Sequence, residues 1–425
     1  MILLYAFAMR VLYTLLLYLI TPLVLLRLLW KSRLQPEYRR RIGERFGLVE
    51  PAGEGVAVWV HAVSVGESLA ALPLIEQLIR QHGEGRVWVT TTTPTGSERV
   101  SAVLGRRVRH SYAPYDLPGA VTRFLDRARP RQVVVMETEL WPNLFRAIRR
   151  RGLPLLLANA RLSPRSFRGY GRLRRSIAGV LADCTEVAAQ SEADAERFRS
   201  LGAPRVSVMG NIKFDLTVPR EQLDRGRELR AALGAARPVW IAASTHEGEE
   251  QAALDAHREL MKHWPDSALI LVPRHPQRFD EVARLVERSG LAGVRRSQVQ
   301  PDARTQVFLG DSMGEMFAYF AAADVAFVGG SLVAVGGHNI LEPAALGLPV
   351  LFGPHMHNFI AARDLLLERQ AALAVADAAG LAGQLGVLFG DAALRERMGQ
   401  AGKAAVEANR GALRKLLGLL GAEEG

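Results

Sequence analysis

The chain has 425 residues, 49% hydrophobic and 23% charged, with one cysteine and a formal net charge of +11. That length is too great for one hydrophobic core and suggests two domains. The lone Cys184 excludes an internal disulfide framework and a cysteine-rich metal site. The positive excess points to an acidic partner: nucleic acid, an anionic membrane or a phosphorylated substrate.

Residues 11–30, VLYTLLLYLITPLVLLRLLW, are apolar except for Thr14, Thr21 and Arg27, which is about the 20 residues that cross a bilayer. The length of the run, and the lack of a small-x-small site after it, argue against a cleavable signal peptide. The next segment, KSRLQPEYRRRIGER, is strongly basic, whereas only Arg10 precedes the run. This asymmetry places the rest of the chain on the cytoplasmic side of the membrane. Pro22 and Arg27 keep open a second arrangement, in which the helix lies in the interface. In both, residues 1–32 are a membrane anchor.

From Ala57 onward short apolar runs alternate with helical patterns. Strands are expected near 57–62, 87–91, 132–136, 155–158, 186–189 and 205–208, with helices such as ALPLIEQLIR and LFRAIRRRG between them. Such alternation specifies right-handed βαβ units and a parallel sheet. At 216–236 the pattern gives way to the charge-rich stretch LTVPREQLDRGRELRAALGAA, read as a linker. A second series follows, with strands near 238–243, 268–272, 306–309, 325–328 and 349–352. The expected organisation is therefore two doubly wound α/β domains, 33–215 and 237–425, joined by 216–236, with their loop edges facing one cleft.

In such sheets ligands bind beyond the C-terminal strand ends, and polar, glycine-rich segments gather there: HAVSVGE, TTTTPTGSE, ETELWPN, NARLSP, GNIKFD, ASTHEGEE, PRHPQRF, GDSMGE, GGSLVAVGGHNILEP and GPHMHNF. No GxGxxG follows the first strand and no GxxxxGK[ST] occurs, which excludes the dinucleotide fingerprint and the P-loop. An Asp-x-Asp of the kind that holds a metal diphosphate is also missing, and His355 and His357 read as loop hydrogen-bonders before they read as metal ligands. GGHNILEPAALG offers backbone N–H groups and a helix start to an anion. In it, Glu342 suits a ribose diol and equally well a first-turn glutamate. GDSMGEMFAYF is expected to start a helix at Met313, Gly314 and Glu315, with Asp311 or Ser312 as the cap. Arg274, directly after a strand and between two prolines, suits a phosphate or an ordinary surface position. In the first domain Glu67, Glu137 and Lys213 each follow a different strand and can act as base or charge stabiliser. Glu139 competes with Glu137, and the role of His61 stays open.

WVHAVSVGES, TTTTPTGSERV, ETELWPNL, NARLSPRSF, GNIKFD, ASTHEGEE, PRHPQRF, GDSMGEM and FVGGSLVAVGGHNILEPAALGLPVLFGPHMHNF, in this order, closely resemble the bacterial 3-deoxy-D-manno-octulosonic acid (Kdo) transferases of lipopolysaccharide synthesis. The likeness runs from the apolar segment to the closing NRGALRKLLGLL. It implies a GT-B glycosyltransferase with two Rossmann-like domains, moving Kdo from CMP-Kdo to the tetra-acylated lipid A precursor with inversion, without metal or cofactor. Carried over by motif, Glu67 is the proton acceptor, and Glu137 and Lys213 are transition-state stabilisers. Pro273, Arg274, Met313, Gly314, Glu315, Asn339, Ile340, Leu341 and Glu342 match the CMP-binding segments. Ala334 and Val335 stand where the family pattern carries an acidic-basic pair.

Two rival readings are a nucleotide-sugar epimerase of the same fold, which has no need of an anchor, and a non-enzymatic basic protein. The second accounts for the charge but not for the polar residues clustered at the strand ends, and RRR at 39–41 is more simply a topology signal and headgroup contact than a nucleic-acid site.

Overall fold

The computed structural model describes residues 2–33 and 35–421. The chain divides into two units: Met1–Asp215 with Arg410–Gly425, and Leu216–Asn409. In the first unit β1 (Val58–His61), β2 (Val87–Thr91), β3 (Arg109–Tyr112), β4 (Gln132–Met136), β5 (Leu155–Ala160), β6 (Glu186–Ala189) and β7 (Val206–Val208) form a sheet in the order β3-β2-β1-β4-β5-β6-β7. Every neighbouring pair is parallel. Helices cover both faces, so alternate residues of one strand enter different cores. Val58 and Val60 join Leu74, Ile75 and Leu78, whereas Trp59 joins Phe124 and Phe145. Burial on both faces is why these strands read as continuous apolar runs.

The second unit repeats the plan with β8 (Val239–Thr245), β9 (Ala268–Pro273), β10 (Gly293–Arg295), β11 (Val307–Leu309), β12 (Val325–Val328), β13 (Val350–Phe352) and β14 (Ala372–Ala374), in the order β10-β11-β9-β8-β12-β13-β14. All of its pairs are parallel as well. The strand order reverses between β1 and β4, and again between β8 and β12. At these switch points the crossover helices leave to opposite faces and a crevice opens.

The structure differs from the sequence reading in three places. The strands β3, β10 and β14, which the sequence did not announce, are all at sheet edges. They are short and partly exposed, so no apolar run marks them. The stretch expected as a linker is largely helix, Arg220–Leu233, and belongs to the second unit. Its polar sequence hides a contact face: Gly226 is buried against the helix Met316–Ala321, where an added Cβ would lie 2.5 Å from Ala321 Cβ and 2.7 Å from Ala318 O. The closing segment, expected with the second domain, returns to the first. Asp215 accepts from the N–H groups of Gly411 and Leu413, both at 2.6 Å, and Ala412, Leu416 and Leu417 complete the core around Val60 and Leu74.

The N-terminal helix, Ile2–Lys31, is 30 residues long and contains Pro22. Its stretch Ala8–Lys31 has a mean hydropathy of 2.1, long and apolar enough to cross a membrane. The chain then passes through two short 3-10 turns into the first sheet, held there by Arg41, which donates to Ser97 Oγ and to the His110 carbonyl at 3.1 and 3.0 Å.

Because Gly226 leaves no room for a methyl group, Gly226→Ala is expected to lower the stability of the second unit by about 1–3 kcal/mol. Urea denaturation followed through Trp240, buried in that unit's core, would read the change, and an unaltered midpoint would show that the helix pair yields without cost.

Candidate active site

β1 ends at His61, and Ser64 caps the helix Val65–His82 by accepting from the Glu67 N–H at 3.2 Å. The Glu67 side chain turns back and accepts from the Val63 N–H at 2.8 Å, a reciprocal cap that fixes the carboxylate at the helix start. Glu67 is only 7% exposed. Burial pushes its carboxyl up to about 7, although the bonds from Val63 and Ser64 oppose the shift, and the negative charges of Glu137 and Glu139 add to it. A carboxyl group that titrates near neutrality suits proton transfer at physiological pH.

Glu137 follows β4, the strand beside β1 across the switch point. It has a left-handed backbone, φ 56°, held by its N–H bond to Ala158 O at 2.8 Å. Such a conformation in a non-glycine residue costs of order 1 kcal/mol or more. Its carboxylate has no hydrogen-bond partner among the described residues, whereas Glu139 accepts from the Trp141 indole at 2.9 Å. Of the two competitors in METELWPN, Glu139 is therefore tied to an internal contact. Trp141 in turn meets His61 edge to face, with ring centroids 4.7 Å apart. His61 is fully buried, bonded through Nδ1 to Thr90 Oγ1 at 2.9 Å, and pushed down to about 3 by that burial, so it is a neutral ring supporting the strand end.

Lys213 lies in the turn Ile212–Phe214 after β7, at the far edge of the sheet. Asn159, the left-handed residue of β5 (φ 55°), brings this turn back: its Oδ1 accepts from the Ile212 N–H at 3.1 Å. Ile212 then enters the core that holds the helix of Glu67. The sequence reading did not single out Asn159, and one asparagine in NARLSP carries no signal of that contact.

In the second unit Arg274 follows β9, with its N–H on Thr245 O at 3.0 Å. Around it gather three histidines that the sequence reading had not combined. His246 and His338 share one proton between Nε2 atoms 2.8 Å apart, and the ring of His275 stands edge-on to that of His246. Burial and the Arg274 guanidinium lower all three, His338 to about 3, so they are neutral hydrogen-bonding groups beside a fixed positive charge. Their signal is faint because one histidine follows each of three separate strands.

The segment 329–342 departs from its expected form. The N–H groups of Gly330, Ser331 and Leu332, together with that of His246, all donate to the buried Glu249 carboxylate at 2.6–3.0 Å. That nest is already filled by an internal anion. The helix after Asn339 is only five residues, Leu341–Ala345, too short to supply the expected dipole. Asn339 instead organises the turn, accepting from the Leu341 N–H at 3.1 Å and donating to Glu342 Oε1 at 3.0 Å. Burial raises Glu342 to about 6, opposed by Asn339 and Arg274. Ala334 and Val335 are exposed at the loop tip, and an added Cβ at Gly336 or Gly337 would run into the segment 355–358. His355 and Asn358 bond this loop through their backbone N–H groups, and no described group of three His, Cys, Asp or Glu is placed to hold a metal ion.

The expected helix start at Met313, Gly314 and Glu315 is also corrected. These residues form a loop, with Gly314 at φ 83°, and the helix begins at Met316 without a side-chain cap. Asp311 binds Arg295 and Ser297 instead of capping. The Glu315 carboxylate is engaged by Ser312, Arg296 and Tyr319.

Two solved structures share this two-domain arrangement of parallel sheets. A glycosyltransferase from Rickettsia africae aligns with a TM-score of 0.54 at 14% identity, covering 86% of this chain and 98% of that one. UDP-GlcNAc 2-epimerase from Neisseria meningitidis aligns with 0.56 at 15% identity, covering 86% and 99%. The fold is thus of the GT-B type, which transferases and epimerases both use. Sequence separates them. Residues 40–216 match the family described as 3-Deoxy-D-manno-octulosonic-acid transferase (kdotransferase). The chain is 43% identical over 419 residues to the 3-deoxy-D-manno-octulosonic acid transferase of Haemophilus influenzae, covering 97% of this chain and 98% of the relative. It is 42% identical to that of Bordetella pertussis, covering 88% and 89%. The chain belongs to the Kdo transferase family and is a glycosyltransferase.

The Glu67 shift carries a sign. A carboxyl raised from 4.5 to about 7 holds its proton more tightly in the folded chain. Its contribution to stability is present below 4.5 and is lost as pH rises through 7. Glu67→Gln should therefore gain stability relative to the unsubstituted protein between pH 5 and pH 8. Melting curves at the two values test this, and an equal difference at both would mean that Glu67 is ionised throughout.

Proposed function

We propose that this protein transfers Kdo from CMP-Kdo to a hydroxyl of lipid IVA, the tetra-acylated, bis-phosphorylated lipid A precursor of lipopolysaccharide synthesis, at the inner face of the bacterial inner membrane. The observation that carries this reading is 43% identity over almost the full length of a Kdo transferase. A hydroxyl of that precursor is a poor nucleophile, so attack on the anomeric carbon needs a base. Glu67, buried and raised to about 7, takes the hydroxyl proton. The acceptor oxygen forms the new bond to the anomeric carbon as the bond from that carbon to the CMP phosphate breaks, and CMP leaves with the electron pair. Displacement from the opposite face inverts the centre.

Glu137 and Lys213 stabilise the charge that develops on the sugar and its carboxylate. In the second unit Pro273 and Arg274, the loop of Met313, Gly314 and Glu315, and the turn of Asn339, Ile340, Leu341 and Glu342 hold CMP. Arg274 faces the single phosphate, and Glu342 the ribose. Because the filled Glu249 nest and the five-residue helix have no free dipole to offer, phosphate recognition falls mainly on the Arg274 guanidinium. A single phosphate makes less demand for a divalent metal than a diphosphate does, which agrees with a sequence that lacks Asp-x-Asp.

Incubation with CMP-Kdo and lipid IVA, followed by mass spectrometry of the lipid, tests the reading and counts the Kdo residues added. A Kdo-bearing lipid is expected, with the rate unchanged after exhaustive chelation, whereas an altered sugar nucleotide without lipid product would favour an epimerase. Glu67→Ala should lower turnover by roughly two or more orders of magnitude with nucleotide affinity kept. Arg274→Ala should show the reverse emphasis, a weakened affinity for CMP measured by calorimetry. Swapped outcomes would exchange the two roles.

A further inference from the structure

The N-terminal helix is not a free stalk. Near its start, Arg10 reaches Asp183 at 3.5 Å, Tyr13 bonds the buried Asp116, and Thr14 Oγ1 donates to Asn143 Oδ1 at 3.1 Å. These partners sit on or beside the helices Pro142–Arg150 and Arg174–Leu181, and the N-terminal helix packs on both. Past its other end, Arg41 is docked on the segments that flank β2 and β3. From Arg10 to Lys31 an α-helix rises about 31 Å, as much as the hydrocarbon thickness of a bilayer. The start of the helix is thus fastened to the unit, and ten residues past its end at Lys31 the chain re-enters the same unit at Arg41. Standing it across a membrane would carry the exposed Arg149 and Arg150 into hydrocarbon.

The pattern of exposure agrees. Tyr13, Thr14, Leu17, Thr21, Val24 and Leu28 are half-buried at helical spacing along the whole length. The other side is bare: eleven of the twenty exposed large hydrophobic side chains among the described residues lie between Val11 and Trp30, with Leu19 74% exposed. Beside this face lies a strongly basic segment of the chain. RLSPRSFRGYGRLRRS, 161–176, carries six arginines and no acidic residue. Arg161, Arg165, Arg168, Arg172 and Arg174 are exposed, and none forms an ion pair among the described residues, while Leu173 projects between them, 49% exposed.

We propose that the N-terminal helix lies in the membrane plane against the first unit, sinks its outer face into one leaflet, and is flanked by an arginine surface on Pro164–Gly171 and Arg174–Leu181 that takes anionic phospholipid headgroups. This rests on the membrane reading of the function and gives it an orientation. An apolar face beside a basic, aromatic-bearing surface is the combination that binds an anionic leaflet. It sets the first unit flat on the bilayer, so that an acceptor lipid need not leave its leaflet completely.

The test uses the full chain with Cys184→Ala, checked for Kdo transfer, and nitroxide labels at Leu12→Cys, Leu19→Cys and Leu26→Cys in vesicles containing phosphatidylglycerol. An in-plane helix puts the three labels at one depth within a few ångströms. A steady progression over about 21 Å would overturn the in-plane helix while leaving anchor and transfer intact. Three labels in water would overturn membrane contact altogether. In parallel, Arg165→Gln, Arg168→Gln and Arg172→Gln together should weaken binding to anionic vesicles roughly 100-fold, about fivefold for each charge, and leave binding to neutral vesicles unchanged. Unaltered anionic binding would overturn the headgroup assignment. So would lost transfer to acceptor dispersed in detergent, which would give these arginines to the acceptor itself.

Discussion

All strand pairs in the two sheets are parallel, and this one constraint arranges everything else. A parallel strand ends where its neighbour ends, so the connections after β1, β4 and β5, or after β8, β9 and β12, emerge side by side with backbone groups that no ladder satisfies. Each unit solves the problem with side chains. Asn159 ties the end of β5 to the turn after β7, Glu249 gathers four N–H groups beyond β8 and β12, and Asp311 anchors the loop beyond β11. Chemistry is then left to the few polar groups that these ties do not consume.

That division separates carboxylates that look alike in sequence. Glu249 has its oxygens occupied by internal donors and serves as scaffold. Glu139 is spent on Trp141. Glu67 is different: one short bond fixes it, but burial without a paired cation keeps its proton affinity high. Glu137 is held by a strained backbone and not by its side chain. A carboxylate that is positioned yet uncompensated is available for reaction, and one that is fully bonded is not.

The legible part of the fold was its interior. Ten interior strands announce themselves because both faces are buried, and VSV at one edge is apolar enough to be read with them, whereas RHSY, GVR and ALA at the other sheet edges have too little apolar surface to be seen. Glu67, Glu137, Lys213 and Arg274 were readable as polar residues directly after strands. What escaped was pairing between distant segments: His246 with His338, Asn159 with Ile212, and Glu249 with the glycine loop. Helix starts were overread for a related reason. Met313, Gly314 and Glu315 have a plausible capping sequence, but the ion pairs and hydrogen bonds of Asp311 and Glu315 prevail over local propensity.

The return of the closing segment to the first unit bears on how the protein is made. Ala412, Leu416 and Leu417 belong to the same core as Val58 and Val60, so the half of the molecule that leaves the ribosome first is the half that is finished last. At the usual ~5–20 residues per second, the roughly 195 residues between Asp215 and Gly411 leave that core open for some ten seconds or longer. During that interval the apolar N-terminal helix has already emerged, and the nascent chain can reach the membrane before the core of its first unit has closed.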